Sequence, residues 1–313
     1  MSIPSLRVLI VEDSEADTEL LLHELRRAGY DPFHERVETA AAMHTALDGR
    51  EWDIILADYT LPQFNGIEAL RVMQQRKLDI PFIVVSGSIG EDIAVAMMKA
   101  GAHDYIMKGN TARLIPAIER ELKEAEVRRD YRRAQERVQY LAYYDPLTDL
   151  PNRTLFADRL QQAMLVGRRD KQRFALLFLD LDRFKNINDT LGHHAGDNAL
   201  QQAAARIKTC LRESDTVARI GGDEFAILLP TASHMDGATV AARKIVAALK
   251  QPFEIDDRQF EIGVSQGIAL FPEHGNEADS LMYAADTAMY EAKRTHSDFL
   301  VYSPDLDRKS ETI

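Results

Sequence analysis

The run Gly221-Gly222-Asp223-Glu224-Phe225 limits the local fold more than any other stretch of this chain. It lies between two strand-like segments, Thr216 to Ile220 and Phe225 to Leu229. A tight turn between strands needs positive φ, which two glycines supply at little steric cost. We therefore predict a β-hairpin with two adjacent carboxylates at its tip, where they can hold Mg²⁺ against a phosphate. An ordinary acidic surface turn is the alternative interpretation.

Two more motifs flank the hairpin. Upstream, residues 178–189 read Phe-Leu-Asp-Leu-Asp-Arg-Phe-Lys-Asn-Ile-Asn-Asp, and downstream, residues 265–269 read Ser-Gln-Gly-Ile-Ala. In this order the three motifs resemble the GGDEF domain of diguanylate cyclases, over about Asp145 to Tyr302. The resemblance implies an α+β, palm-like nucleotide cyclase fold. It also implies condensation of two GTP into cyclic di-GMP with release of two pyrophosphates.

Length and composition bound the rest of the interpretation. The 313 residues suit two domains, and a hydrophobic content of 45% is typical of globular proteins. The longest apolar runs, such as Phe174 to Leu179, are too short to cross a membrane, and a strand-like segment from Leu6 leaves no room for a signal peptide. The single cysteine, Cys210, fits a reducing compartment and is expected to be a buried core thiol. A net charge of −12 disfavours nucleic acid as a partner. From the short apolar runs and the single cysteine, we expect a cytoplasmic protein with no membrane partner.

Strand-like and helix-like segments alternate five times between Leu6 and about Ile118. This order predicts an α/β, doubly wound fold with a parallel five-stranded sheet, whose ligands bind at the carboxyl ends of the strands. The predicted strands are Arg7–Val11, Phe33–Val37, Ile54–Ala57, Phe82–Val85 and Tyr105–Met107.

Acidic, hydroxyl and amine groups follow these strands, at Glu12, Asp13, Asp58, Ser86 and Lys108. The clustered acids would raise one another's pKa without a cation between them, so we predict Mg²⁺ at Glu12, Asp13 and Asp58. Asp58 can then accept a phosphoryl group, Lys108 can pair with it, and Ser86 can bond to it after transfer. An acidic sheet edge without phosphotransfer is the alternative.

This constellation resembles the receiver domain of response regulators. The resemblance implies that Asp58 is the phospho-acceptor, that Ser86, Tyr105 and Lys108 form the switch, and that a cognate histidine kinase is a partner. One departure is Gly109, which stands where the family usually has proline after the lysine.

The stretch from Ala112 to Leu141 is charged and has one early proline, Pro116. Val127, Tyr131, Ala134, Val138 and Leu141 follow the 4-3-4-3 spacing of a short heptad seam. A second stripe, Ile118, Leu122 and Ala125, has a different register, which predicts a change near Ala125 to Val127. The seam favours a switchable homodimer, and a solvated single helix is the alternative. We predict a receiver domain over 1–122, a helical, coiled-coil linker over 123–144 and a GGDEF domain over 145–313.

For the second domain, the order of segments predicts an antiparallel sheet with helices on one face. Predicted helices and strands are Thr154–Met164, Phe174–Leu179 with Asp180 at its end, Ser233–Leu249, a long strand Gln259–Leu270 and Asp279–Lys293.

The GGDEF resemblance also implies roles for individual side chains. Asp180, the Leu181 carbonyl, Asp223 and Glu224 bind Mg²⁺, with Mn²⁺ as an alternative ion. Asp223, Glu224 and Lys185 are the catalytic candidates; Asp223 can take the proton of the attacking hydroxyl, and Lys185 can face the phosphates. The substrate-binding candidates are Phe184, Lys185, Asn188, His193, Asp197, Leu200 and Lys293.

Asn188 and Asp197 match the positions that read the guanine edge. An acid at Asp197 favours GTP over ATP, because a buried carboxylate with no donor opposite it is costly. Without the neighbouring motifs, Asn188 would be interpreted as a capping residue and Asp197 as a first-turn acid of its helix.

Two further observations concern regulation and activity. Arg212 and Asp215 have the position of the RxxD site, where the product cyclic di-GMP binds as a feedback inhibitor. Ser297 replaces an arginine that contacts the triphosphate in the family, and Arg294 reaches that place only if the helix end rearranges. This loss supports a rival function, a catalytically weak or silent GGDEF domain that senses GTP or cyclic di-GMP. A second rival is a scaffold whose receiver only relays phosphate.

Overall fold

The computed structural model describes residues 4–62, 64–87, 91–231, 235–255 and 258–307, with residues 91, 92 and 235 described by their backbone alone. The chain divides into two units, residues 1–135 and 136–313. Within the described residues, no helix is both long enough and apolar enough to cross a membrane.

The first unit has a parallel sheet of five strands in the order β2-β1-β3-β4-β5. This confirms the predicted doubly wound receiver fold. In chain order its elements are β1 (Ser5–Val11), α1 (Glu15–Arg27), β2 (Asp31–Val37), α2 (Ala40–Gly49), β3 (Ile54–Asp58), α3 (Gly66–Gln75), β4 (Phe82–Ser86), α4 (Glu91–Ala100) and β5 (Asp104–Met107), followed by a 3₁₀ turn (Thr111–Arg113) and α5 (Leu114–Tyr143).

Both faces of this sheet are covered. Leu9 and Val11 of β1 belong to one core cluster, and Val8 and Ile10 belong to the other. Burial on both faces explains why β1, β3 and β4 are apolar at most positions. The carboxyl edge of the sheet is thus left as the place where polar side chains gather.

Helix α5 is continuous over its 30 residues. Pro116 lies in its first turn, where a missing backbone N–H costs little. Ile118 and Ala125 are buried, whereas four seam residues are well exposed: Val127 (61%), Tyr131 (66%), Val138 (68%) and Leu141 (45%). The two stripes therefore differ in environment, with no break in the helix between them.

The second unit has a five-stranded sheet in the order β12-β11-β6-β8-β7 and a separate two-stranded sheet, β10-β9. All pairs are antiparallel except β11 with β12. The elements are α6 (Arg153–Asp170), β6 (Phe174–Asp182), α7 (Phe184–Leu191), α8 (His193–Cys210), β7 (Thr216–Gly221), β8 (Glu224–Leu229), α9 (Met235–Leu249), β9 (Phe253–Ile255), β10 (Arg258–Phe260), β11 (Gly263–Phe271), α10 (Ala278–Arg294) and β12 (Phe299–Val301).

The prediction that helices cover one face of this sheet is wrong. Leu177 and Leu179 of β6 pack in a cluster with α7, α8 and α9, whereas Leu176 and Phe178 pack in another with α6 and α10. Strand β6 is apolar at most positions, so each of its faces needs a cover.

The single strand predicted over Gln259–Leu270 is also wrong. Residues 258–260 pair with β9, and the central sheet is joined only from Gly263. A Cβ at Gly263 would lie 2.7 Å from Asp182 Oδ2, so a glycine lets the chain enter the sheet beside that carboxylate. The predicted helix start at Ser233 lies outside the described residues.

Candidate active site and receiver site

The hairpin between β7 and β8 forms as predicted, but its two glycines have different roles. Gly222 has φ of +53°, in the left-handed region, whereas Gly221 ends β7 and pairs with Glu224. The register shifts between Arg219 and Gly221. One glycine thus supplies the turn conformation, and the irregular register sets the position of the two acids.

Arg219 holds the tip of this hairpin. Its Nε and Nη2 donate to the Gly222 carbonyl at 2.9 and 2.8 Å, and its Nη1 donates to Asp145 at 3.0 Å. Burial raises the pKa of Asp145, but hydrogen bonds from Thr148 and Arg219 outweigh burial and keep that pKa below its usual value. This role of Arg219 was not predicted from the sequence. The pattern that could have indicated it is an arginine two residues before the Gly-Gly pair.

Two acids of the candidate metal site lie on adjacent strands, and the third, Asp223, lies in the turn just before β8. Asp180 of β6 pairs in register with Glu224 of β8, and the Leu181 N–H donates to the Asp223 carbonyl at 3.3 Å. Burial raises the pKa of Asp180, and the charge of Asp223 raises it further, although Lys293 acts in the opposite direction.

Glu224 is in a similar electrostatic environment. Burial raises its pKa, and so do the charges of Asp286, Asp180 and Asp223. Asp286 lies on α10 and was not singled out in the sequence. Half-buried carboxylates that repel one another suit an oxygen-ligated divalent cation, so the chemistry of these donors fits the implied metal. Among the described residues, however, the ligand oxygens of these acids do not form a group within 4.8 Å of one another.

Lys293 reaches this site from α10. Its Nζ lies 2.6 Å from Asp180 Oδ1. Gly267 of β11 permits the approach, because a Cβ there would lie 1.9 Å from the Ala285 carbonyl oxygen and 2.3 Å from Met289 N. The bare backbone of β11 therefore lets α10 pack directly on the sheet.

The end of α10 precedes Ser297, the residue that replaces the family's arginine. The Ser297 hydroxyl lies 3.1 Å from that of Thr295, and Arg294 binds Glu291 through two hydrogen bonds of 2.8 Å. Arg294 is thus engaged by its own helix in this structure.

Six of the seven predicted substrate-binding residues lie on α7 and α8, and the seventh, Lys293, lies on α10. Arg183 has φ of +62° and is the N-cap residue of α7. Lys185, His193 and Asp197 are exposed, whereas Phe184 and Leu200 are buried in the core cluster. A direct role of Leu200 in a pocket remains a prediction.

Asn188 is half-buried against α8. A Cβ at Gly196 would lie 2.0 Å from Asn188 Oδ1, so this glycine makes room for the amide. Gly196 was not identified from the sequence, since the close approach depends on how α7 packs on α8.

Arg212 and Asp215 are joined by a compact turn. Asp215 Oδ2 accepts from the Arg212 N–H at 2.9 Å, and the Asp215 N–H donates to the Arg212 carbonyl at 3.0 Å. Both residues line a pocket of about 380 Å³ together with Cys210 and Lys244. Cys210 is half-buried rather than buried, and burial raises the pKa of its thiol.

In the first unit, Glu12, Asp13 and Asp58 converge at the carboxyl edge of the sheet. Their ligand oxygens lie within 4.8 Å of one another, so the donor set fits a divalent cation. Lys108 Nζ lies 2.8 Å from both Glu12 Oε2 and Asp58 Oδ2, and 2.5 Å from Asp17 Oδ2. Asp17 was not singled out in the sequence.

These contacts set the charge states of the receiver site. Burial raises the pKa of Glu12 despite its bond to Lys108. Burial lowers the pKa of Lys108, but its hydrogen bonds to three carboxylates outweigh burial and raise that pKa. Lys108 is therefore a permanent cation at this edge of the sheet.

Ser86 and Tyr105 lie on the adjacent strands β4 and β5. Ser86 is 1% exposed, and its carbonyl accepts from the Lys108 N–H at 2.8 Å. The Tyr105 hydroxyl is buried and has no hydrogen-bond partner among the described residues. A buried hydroxyl without a hydrogen bond costs free energy, so the free-energy cost of moving this ring to another position is smaller.

Comparison with known proteins agrees with this geometry. The family model for the diguanylate cyclase GGDEF domain matches residues 142–298, and that for the response regulator receiver domain matches residues 8–119. A solved structure of the coiled coil and GGDEF domain of DgcB from Caulobacter crescentus, in complex with cyclic di-GMP, is 31% identical with a TM-score of 0.50. The match covers 61% of this chain and 97% of that one.

Two curated relatives come from Pseudomonas aeruginosa. MucR, a bifunctional diguanylate cyclase/cyclic di-GMP phosphodiesterase, is 48% identical over 51% of this chain. The diguanylate cyclase TpbB is 48% identical over 49% of this chain. The matches cover 23% and 35% of those proteins, so they concern one domain of each. On the strength of the GGDEF match over half of its length, this chain belongs to the GGDEF diguanylate cyclase family, and it carries a receiver domain before the GGDEF domain.

Proposed function

We propose that this protein is a diguanylate cyclase controlled by its receiver domain. The reaction condenses two GTP into cyclic di-GMP and releases two pyrophosphates. The observation that carries the proposal is the pairing of Asp180 with Glu224 across β6 and β8, beside Asp223 at the hairpin tip. Lys293 adds a cation in contact with Asp180.

Asp180, the Leu181 carbonyl, Asp223 and Glu224 are the groups that would hold Mg²⁺ or Mn²⁺. When bound, the ion stabilises negative charge on the attacking and leaving oxygens. In this proposal Asp223 also takes the proton from the 3′-hydroxyl.

The other residues of the site bind and orient GTP. Lys185 and the backbone N–H groups at the start of α7 hold phosphate oxygens. Asn188 and Asp197 face the guanine edge, and the acid selects guanine because adenine offers it no matching pair of donors.

Each GGDEF domain binds one GTP, so two domains must face each other for the second bond to form. The exposed residues Val127, Tyr131, Val138 and Leu141 of α5 support a homodimer, since an apolar heptad stripe is stabilised by a second helix. A receiver domain before this helix is then well placed to control the pairing.

Phosphorylation of Asp58 by a histidine kinase is the proposed input. Glu12, Asp13 and Asp58 would hold the required cation, and Lys108, already 2.8 Å from Asp58, pairs with the added phosphate. Ser86 bonds to the phosphate, and Tyr105 turns into the space that this movement opens.

The Asp223→Asn variant tests the cyclase assignment. We expect turnover of GTP to fall to a few per cent of wild type or less, because one hairpin carboxylate loses its charge, while the melting temperature changes little. Product formation by liquid chromatography is the measurement, with the exposed Asp158→Asn as a control that keeps full activity. Substantial residual synthesis in Asp223→Asn would contradict the assignment.

A silent sensor is the second candidate function, favoured by Ser297 and by the engagement of Arg294 with Glu291. The same measurement separates the two, because a sensor binds GTP or cyclic di-GMP but forms no product even as the wild-type chain.

Feedback inhibition at Arg212 and Asp215 is part of the proposal, since both line one pocket. We expect Arg212→Ala to weaken cyclic di-GMP binding at least tenfold with no loss of initial rate, because Arg212 lies outside the metal site. Isothermal titration measures the affinity, with the exposed Arg258→Ala as control. Unchanged affinity in Arg212→Ala would exclude this site.

A further inference from the structure

An arginine-rich pocket lies on the first unit, at the edge of its sheet opposite Asp58. Its walls come from the starts of β1, β3 and β4 and from α5, and its volume is about 370 Å³. Leu47, Leu78 and Ile80 form part of the lining, as does Trp52, which is 2% exposed. The pocket therefore combines an apolar floor with a charged rim, as small-molecule sites do.

Five guanidinium groups line this pocket, against two carboxylates. They belong to Arg7, Arg50, Arg129, Arg132 and Arg133, and the acids are Glu51 and Asp79. An excess of three positive charges is unexpected in a chain whose net charge is −12. Concentrated charge of one sign in a concave site attracts a ligand of the opposite sign.

Three of the five arginines are engaged with acids. Arg7 makes two hydrogen bonds to Asp53, at 3.2 and 2.7 Å. Arg132 lies 3.7 Å from Asp79, which also accepts from Arg128 at 3.2 Å. Arg133 lies 3.6 Å from Asp130, but both side chains are more than two-thirds exposed, so water screens that pair.

Arg50 and Arg129 form no ion pair within 4 Å among residues of the described ranges. Arg50 lies over the ring of Phe33, 4.5 Å from its centroid. Arg129 is half-buried, and its one hydrogen bond to the described residues is a long one of 3.4 Å to the Asp79 carbonyl oxygen. Two guanidinium groups in one pocket thus lack a carboxylate in direct contact, although the charge of Arg129 is felt by Asp53, whose pKa it helps to lower.

We propose that this pocket binds a small phosphorylated ligand, either free pyrophosphate or the polyphosphate of a nucleotide. Guanidinium groups pair with phosphate oxygens through parallel hydrogen bonds, and Arg50, Arg129 and Arg133 offer such donors from two sides of one cavity. A bound phosphate would join the loop after α2 to α5. The ligand therefore stabilises the contact between the linker helix and the body of the receiver, on the edge away from the phospho-acceptor.

This site is separate from the proposed cyclase site, so it is tested by binding and without turnover. The full-length chain is titrated with pyrophosphate, GTP and guanosine by isothermal calorimetry, in EDTA so that no metal-dependent site binds phosphate. The test variant is Arg50→Gln with Arg129→Gln, and Arg133→Gln is a second variant at a mostly exposed position. Lys123→Gln removes one positive charge from an exposed position of α5, as Arg133→Gln does, and is the control.

We expect pyrophosphate to bind wild type and Lys123→Gln equally, at least tenfold more weakly to the double variant, and more weakly as salt is raised. Guanosine is expected not to bind. Equal affinity for GTP and pyrophosphate identifies the phosphates as the recognised group, and tighter pocket-dependent binding of GTP identifies a nucleotide. Absence of binding to wild type, unchanged affinity in both pocket variants, or loss of binding in Lys185→Gln instead would overturn the proposal.

Discussion

Lys108 sets the charge balance of the receiver site at the scale of single residues. It contacts Glu12, Asp17 and Asp58 at once, with two of these carboxylates almost fully buried. The residue pattern alone predicted an acidic cluster and a lysine, because both follow strand ends. It could not predict Asp17, since that contact depends on how α1 is rotated on the sheet.

Arg219 shows a similar limit in the second unit. The hairpin acids were predictable from the Gly-Gly pair, because a two-strand pattern with glycines between is a strong local signal. The bond from Arg219 to Asp145 joins residues 74 positions apart, so no local pattern carries it.

His103 makes the stability of the receiver domain dependent on pH. Its Nδ1 accepts a hydrogen bond from the Phe82 N–H at 3.0 Å, which requires an unprotonated nitrogen. Burial lowers the pKa of His103 below 6.5, and the nearby Arg128 lowers it further. A folded pKa below the unfolded value means that stability is present above pH 6.5 and is lost as the pH falls toward the lowered folded value.

We therefore expect wild type to lose more stability between pH 7 and pH 5 than His103→Gln, whose amide oxygen can still accept from Phe82. The difference should be below about 1.4 kcal/mol per pH unit, the limit for one proton, because solvent screens the half-exposed ring. Urea unfolding of the receiver transition at several pH values is the measurement. Parallel pH profiles for the two proteins would show that His103 is not the titrating group.

At the scale of elements, the strands were the most predictable feature. All five receiver strands were placed within two residues at each end. For β1, β3 and β4 the reason is that buried parallel strands form apolar runs bounded by polar residues, whereas β2 is an edge strand with several polar positions. The number of helix-covered faces in the second unit was not predictable from element order alone. The pattern of β6 held the signal, since the consecutive residues Leu176 and Leu177 face opposite sides of the sheet and both are apolar.

Gly267 determines how closely α10 packs on β11, and so where Lys293 lies. We expect Gly267→Ala to destabilise the GGDEF domain by about 3 kcal/mol, because the added Cβ would overlap backbone atoms of Ala285 and Met289 that cannot move independently. Thermal or urea unfolding of that domain is the measurement.

Gly221→Ala is the matched control in the same domain, since nothing lies within 4 Å of a Cβ there. Its effect should stay within about 0.5 kcal/mol. A similar small effect for Gly267→Ala would mean that the helix can shift away from the strand at little cost.

At the scale of the whole molecule, the 30-residue helix α5 lies in the chain between the receiver site and the proposed cyclase site. Phosphate on Asp58 can activate the cyclase only if it favours one packing of the dimer over another. A shift from 1:99 to 99:1 requires about 5.5 kcal/mol of preference, more than the new bond to Ser86 provides. Partial activation is therefore expected.

The most direct measurement is the rate of cyclic di-GMP synthesis at fixed protein concentration, with and without beryllofluoride as a phosphate mimic, for wild type and Asp58→Asn. We expect product in all four samples and a higher rate of synthesis only for wild type with beryllofluoride. Equal rates in all four would contradict control by the receiver, and no product in any of them would contradict the cyclase itself.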